Sequence, residues 1–544
     1  MARLPEALGP KVVMKEYDYI VVGGGSAGCI VAAELASDPS NRVLLLEAGP
    51  TAEEHPETLV AKDYKEAFIN DAVMGERFSV PQAHSANQRT FAGTGTVMGG
   101  SGSVNAMVYT RGSREDYDEW PDGWHWDDNE ADFQAIEKML RPNRRPATKW
   151  TEACIASALE HGFTLREDLN DGNMSNAIGY EWMSYEGEAR RSSYVAFIKD
   201  AGERVNLTVL TGARAHRVVF TPEKRARAVE FEHDGALERA AVAKEVILCA
   251  GALETPKLLM LSGVGPSEHL RAFDIPVVAD CPSVGERLHD HPNVPVFFKA
   301  KNDIDCFYPQ LYSFFRTNTD SDLPASQSDT CYTYWPAPSA MRHMMQRMLP
   351  PMVIPHALYG PRSRQMVRSI VGGAFKIDAL QRFTDHMFGI ILILGKPKSR
   401  GTLRLQSTDV SCQALIDPAY YSHPEDMETM IKGVRVARAI GGSSGLAEWG
   451  AKELMPGERV KSDESIAKYV RKNTITTYHF AGSCSMGTSE AHAVDPELRL
   501  RGVTGLRIAD ASTIPWTPVS ALNAPSMLIG YRAAKLIRSG ATYR

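Results

Sequence analysis

The chain has no pair of cysteines spaced as C-x-x-C and no cysteine set with metal-ligand spacing. Its eight thiols, Cys29, Cys154, Cys249, Cys281, Cys306, Cys331, Cys412 and Cys484, are scattered. That excludes a disulfide framework, points to buried free thiols in a reducing compartment, and leads us to expect no metal. No stretch offers about 18 uncharged apolar residues, so no spanning helix is expected. Low-complexity tracts and internal repeats are missing too, which excludes linker-like and repeat architectures. Basic excess is also absent: 60 Lys and Arg stand against 66 Asp and Glu, a net charge of -6, so there is no footprint for nucleic acid. The first residues, MARLPEALGPKVVMKEYDYIVVGGG, lack the apolar core and cleavage site of a signal peptide, which makes the cytoplasm the expected location.

What remains is an ordinary globular composition, 43% hydrophobic and 23% charged, in a chain of 544 residues. At about 150 residues per domain this allows roughly three or four units. The first motif is YDYIVVGGGSAGCIVAAELASDPSNRVLLLEAG, starting at Tyr17. A β-branched run, Tyr19 to Val22, enters the glycine turn Gly23-x-Gly25-x-x-Gly28, and a helical pattern follows from Cys29 to Ala36. The glycines allow a tight turn and close approach to a pyrophosphate, whose charge meets the N–H groups of the helix N-terminus. A second strand, Arg42 to Leu46, ends at Glu47, 19 residues after Gly28, where a carboxylate can bind the two hydroxyls of a ribose. This spacing predicts a dinucleotide site, with FAD and NAD both open.

Three further blocks follow. GTVMGGSGSVNAMVYTRG, Gly95 to Gly112, packs small residues before an apolar run and implies close backbone approach to something flat or phosphorylated. EVILCAGALETPKLLMLSGVGP, Glu245 to Pro266, reads as a buried strand, a small-residue turn and a helix started near Thr255-Pro256 and stopped by Ser262-Gly263. The last joins TTYHFAGSCSMG, Thr476 to Gly487, to GLRIADASTIP, Gly505 to Pro515, a strand ending in Asp510.

In this order the blocks resemble the glucose-methanol-choline (GMC) oxidoreductase family, and SVGERLHDHP (Ser283 to Pro292) and KPKSRGTLRL (Lys396 to Leu405) are similar to two more of its stretches. The resemblance spans essentially the whole chain. It implies an α/β fold, α+β overall: a Rossmann-like FAD-binding domain from residues 1–110, 205–300 and 490–544, and a substrate domain from 111–204 and 301–489 with an antiparallel sheet covered by helices. Carried over position by position, it implies that Gly23, Gly25, Gly28 and Glu47 hold the ADP half, with Ala215 at the adenine. Asn105, Ala106, Met107 and Val108 would lie against the isoalloxazine, Asp510 and Ala511 near the ribityl and pyrophosphate, and Ser26, Ala27, Ala48, Gly99, Ser103, Ala250, Gly251 and Leu522 are implied as further cofactor-binding positions. Some members attach FAD to a histidine at the position filled here by Val104, so a non-covalent flavin is implied.

The family chemistry is oxidation of an alcohol to a carbonyl, which needs a neutral imidazole within reach of the substrate hydroxyl. The resemblance puts His479 there. The usual second His or Asn, two residues before Asn523, is Ala521, so the pair is reduced, with Asn523, Thr517 or Ser520 as substitutes. Thr96 and Tyr531 also depart from the family pattern. The expected activity is FAD-dependent oxidation of a fairly apolar or aromatic primary alcohol, with O2 or another acceptor. The alternatives are a non-redox lyase of the hydroxynitrile lyase type and a flavin-bearing binding protein. Finally, Thr330 to Ile377 contains Arg342, Arg347, Arg362, Arg364, Arg368 and Lys376, many methionines and no Asp or Glu. It reads as a lid over the active-site mouth or, through 340–370, a peripheral membrane contact.

Overall fold

The structure, a computed structural model, describes residues 15–540. The N-terminal residues 1–14, read above for a leader, and 541–544 lie outside the described residues. The buried run Glu16–Val22 forms a strand at the middle of a seven-stranded sheet. It pairs in parallel with Val43–Leu46 on one side and Ala236–Leu248 on the other. Leu207–Leu210 extends the parallel set beyond Val43–Leu46. The long strand Ala236–Leu248 serves two further neighbours: Ala226–His233, antiparallel along its first half and itself paired antiparallel with Arg214–Phe220, and Leu506–Ile508, in parallel, along its second. Ile20, Val21, Val43, Leu45, Val246 and Ile247 are wholly buried, as expected for parallel strands covered on both faces.

The second sheet has eight strands and is antiparallel except at one edge. Its centre runs Pro292–Lys299, Met387–Leu394, Thr330–Pro336, Leu311–Phe315. Alternation decides its two faces. Val294, Val296, Phe298, Ile390, Leu392, Tyr332 and Tyr334 point into a core shared with the helix Pro424–Gly441. The residues between them, Asn293, Pro295, Phe297, Ile391, Ile393, Cys331, Thr333 and Trp335, face a cavity.

Two segments lie elsewhere than the sequence suggested. Pro292–Lys299, expected within the FAD unit, is a central strand of the second sheet. Tyr117, Trp120, Trp126, Phe133, Phe480 and Cys484, expected in the substrate unit, pack in the core of the first sheet. The stretch after Pro336 folds into the helix Ala337–Val353, which covers the cavity, and the helix Pro361–Ala374, which packs against it. No helix among the described residues is long and apolar enough to cross a membrane.

Candidate active site

The parallel strands end at one edge, and there the motif residues begin: Gly23 after Val22, Glu47 after Leu46, Cys249 after Leu248, Asp510 two residues beyond Ile508. Ligands bind outside the carboxyl ends of such strands. A cavity of about 1270 Å³ lies between this edge and the open face of the second sheet.

Sterics dictate the phosphate turn. A Cβ on Gly28 would stand 1.9 Å from the Gly23 carbonyl oxygen, and Gly23 itself has φ +105° with the Cys249 carbonyl oxygen 2.4 Å from where its Cβ would lie. Only glycine permits that approach. Gly25, by contrast, has room on its cavity side and lines it with Ser26 and Ala27. The buried Glu47 carboxylate accepts N–H bonds from Gly24 and Gly49, each 2.8 Å, while burial pushes its pKa up. Each oxygen keeps acceptor capacity for a ribose hydroxyl. Asp510 joins two blocks 259 residues apart by accepting from Gly251 N–H at 2.8 Å, and it also accepts from the Thr255 hydroxyl at 2.6 Å and Ser512 N–H at 2.8 Å. Ala48, Ala215, Ala250, Ala511 and Leu522 complete this wall.

The second block folds onto the first. Gly99 N–H donates to the Gly24 carbonyl at 2.7 Å, and a Cβ on Gly100 would meet Gly25 Cα at 2.8 Å. Arg190, fully buried, clamps the following turn: its guanidinium donates to Asn105 Oδ1 at 2.9 Å, Asn105 O at 2.8 Å and Gly102 O at 3.1 Å. Burial lowers its pKa to about 9. Asn105, Ala106 and Val108 face the cavity. Gly28, Gly99, Ser103 and Met107 do not line it. They set the backbone, Ser103 by a hydroxyl bond to Met98 O at 2.9 Å and Met107 by packing against Tyr64, Met183 and Tyr185. A close-approach turn, a carboxylate for a diol and a clamped flat loop fit an FAD.

His479 lines the cavity beside this loop. Tyr478, at φ +64°, turns the chain into it, and His479 N–H is fixed by Asp290 Oδ1 at 2.8 Å. Asp290 also accepts from Thr476 at 2.5 Å and from the Tyr420 hydroxyl, and burial raises its pKa to about 6. Burial drives His479 down to about 4, so its ring is neutral near pH 7. Its Nδ1 lies 2.9 Å from His291 Nδ1, and His291 Nε2 lies 2.9 Å from the Thr517 hydroxyl. His291 is wholly buried, and burial followed by the neighbouring His479 holds its pKa well below the usual histidine range.

The sequence reading assigned roles to neither Arg190 nor His291. The only sequence signal for His291 is the string SVGERLHDHP, and Arg190 carries none. Asn523 was expected beside the base, but its Oδ1 accepts from the Ser26 hydroxyl at 2.7 Å, at the phosphate turn. Among the described residues no hydrogen bond joins Asn523 to His479. Ala521 and Ser520 line the cavity, and the buried Ser520 hydroxyl has no partner. No group of three or more His, Cys, Asp or Glu among the described residues could hold a metal ion.

The description GMC oxidoreductase matches residues 17–293 and 397–530. Choline oxidase of Arthrobacter globiformis is 34% identical, over 96% of this chain and 95% of its own. An alcohol dehydrogenase [acceptor] of Pseudomonas putida is 32% identical over the same shares. The crystal structure of pyridoxine 4-oxidase from Mesorbium loti superposes with a TM-score of 0.83 at 25% identity, over 97% of this chain and 100% of that one. The chain belongs to the GMC oxidoreductase family, and with it to the FAD-dependent alcohol oxidoreductases.

Proposed function

We propose that the protein oxidises a neutral, largely apolar or aromatic primary alcohol to its aldehyde, with His479 as base. The shared proton of the Nδ1 pair is assigned to His479, which donates to His291 Nδ1. His291 Nε2–H then donates to Thr517, whose hydroxyl donates onward to Pro518 O at 3.3 Å. This tautomer leaves His479 Nε2 bare toward the cavity, free to take the alcohol proton. The His291 lone pair stabilises the imidazolium that results. Bound FAD supplies the acceptor for the carbinol hydride, so the alcohol loses a proton to His479 and a hydride to the flavin. Val104, where some family members carry a linking histidine, supports non-covalent attachment.

The observation that carries the substrate class is the sheet face opposite. Asn293, Pro295, Phe297, Cys331, Thr333, Trp335, Ile391 and Ile393 include no carboxylate, so a cationic alcohol would lack a counter-charge on this face. Ala521 adds no polar group. The test is an anaerobic panel of alcohols scored by bleaching of the flavin absorbance, followed by admission of air. Apolar and aromatic primary alcohols should bleach it faster than choline or sugars, and reoxidation in air separates an oxidase from a dehydrogenase. A flavin that no alcohol reduces would return the lyase reading.

A further inference from the structure

The six basic residues of the acid-free stretch divide into two sets. Four are paired: Arg347, Arg368 and Arg364 turn inward and reach Asp71 at 2.8, 2.9 and 3.0 Å, while Arg342 pairs at the surface with Glu66 at 2.9 Å. Glu76 shares the same three guanidinium groups. The positive charge that suggested a membrane contact is thus largely spent on docking the lid. Arg362 and Lys376 are exposed and make no ion pair among the described residues.

The outward face of Pro361–Ala374 carries Arg362, Met366 and Ile370 at helical spacing, with Met366 60% and Ile370 64% exposed. At the end of the preceding helix Met352 is 79% exposed and also lines the cavity. Exposed apolar side chains thus run from the cavity rim at Met352 to Met366 and Ile370 on the next helix, where Arg362 is an unpaired cation; beyond it lie Lys376 and one exposed acid, Asp378. Exposed apolar ridges of this kind mark partner or membrane surfaces.

We propose that this ridge docks on an anionic lipid surface and opens the cavity toward it. Charge decides the occupant. A symmetric contact with a second copy would set the cations of one ridge against the same ridge of its partner, whereas anionic headgroups complement them while Met366 and Ile370 enter the interface. Delivery of a lipophilic alcohol from that surface rests on the function proposed above; docking itself does not.

The test uses holoenzyme with sucrose-loaded vesicles of phosphatidylcholine, alone or mixed with phosphatidylglycerol. Wild type should sediment with the mixed vesicles. Met366→Glu/Ile370→Glu should lose about tenfold or more of that binding, and Arg362→Gln/Lys376→Gln only the preference for the anionic lipid. Both variants should reduce their flavin with a short, soluble alcohol as wild type does, since none of these side chains lines the cavity. Wild type left in the supernatant with both vesicles, or a dimer in solution that the double glutamate variant splits, would overturn the proposal. Vesicle binding without flavin reduction by any alcohol would overturn only the function.

Discussion

The two walls of the cavity are built by different rules. On the cofactor wall the backbone makes the contacts, and glycines at fixed spacing admit no side chain: Gly23 and Gly28 are each pressed against a carbonyl oxygen. On the substrate wall the contacts are side chains raised on alternate positions of strands far apart in sequence, such as Pro295, Ile391 and Thr333 in one row across the sheet. Above them a helix is held down by ion pairs. A backbone wall fixes one ligand and tolerates little change. A side-chain wall can be recut without refolding, so the substrate is the property least constrained by the fold.

The comparison breaks hardest at Gly28. Gly28→Ala puts a methyl into the Gly23 carbonyl, and the purified protein should lose its flavin absorbance or fail to accumulate. Gly25→Ala, whose Cβ would meet nothing closer than Gly100 Cα at 3.9 Å, should fold and bind FAD more weakly. If Gly28→Ala keeps stoichiometric flavin, the cofactor wall is softer than its geometry.

At the junction of the walls, His479→Ala should keep FAD but slow substrate-driven flavin reduction by about 10²-fold or more. His291→Ala should cost less, about tenfold, because it removes the group that holds the tautomer and leaves the base. Stopped-flow reduction reads both, and equal losses would mean that His291 contacts the alcohol itself. The pH profile follows from burial. The His479 pKa is lowered to about 4, below the ordinary histidine value, so the base is already deprotonated at neutral pH. The reduction rate should be flat through the neutral range and fall as pH drops toward that value. An inflexion near 6 would report the Asp290 carboxylate that fixes His479 N–H, and Asp290→Asn should remove it.

The same division explains what could be read in the sequence. Gly23, Gly25, Gly28 and Glu47 were legible because a turn, a helix start and a strand end fall within one short stretch. His479 was legible only through the family pattern. The partners were not: His291 and His479 stand 188 residues apart, Ser26 and Asn523 497, and Arg347 and Asp71 276. Such pairs are created by topology, and neither partner carries a local signature of the other. The pairing of the acid-free stretch was hidden for the same reason, since its counter-charges, Glu66, Asp71 and Glu76, lie far upstream.

Loosening the lid should have an intermediate effect. Asp71→Asn leaves Arg347, Arg364 and Arg368 to share Glu76, and Arg347 has no exposed side-chain surface. Because Asp71 is about a third exposed, water offsets part of the loss, and about 1–2 kcal/mol of lid docking is expected. KM for a bulky alcohol should rise about tenfold while the reduction rate at saturation changes little. A fall in that limiting rate with KM unchanged would place the cluster in support of His479 instead, through the Arg347 cation over the Phe91 ring and the edge contact of Phe91 with Tyr478.

The smallest effects are expected at the C-terminal segment, where they sharpen the boundary between the walls. Asn523 is bonded to Ser26, so Asn523→Ala should weaken FAD by about 1 kcal/mol, the scale of one hydrogen bond, and leave the reduction rate at saturating FAD nearly unchanged. Ala521→Asn should favour small polar alcohols over bulky apolar ones by a few fold, because the amide adds a hydrogen bond and takes up volume in the cavity. Titration of the apoprotein with FAD and reduction rates on one small and one bulky alcohol read both variants. If Asn523→Ala instead collapses reduction while FAD binds normally, the amide turns to the substrate during turnover. Asn523 would then belong to the catalytic machinery, and His479 would not act as the sole polar group on the alcohol oxygen.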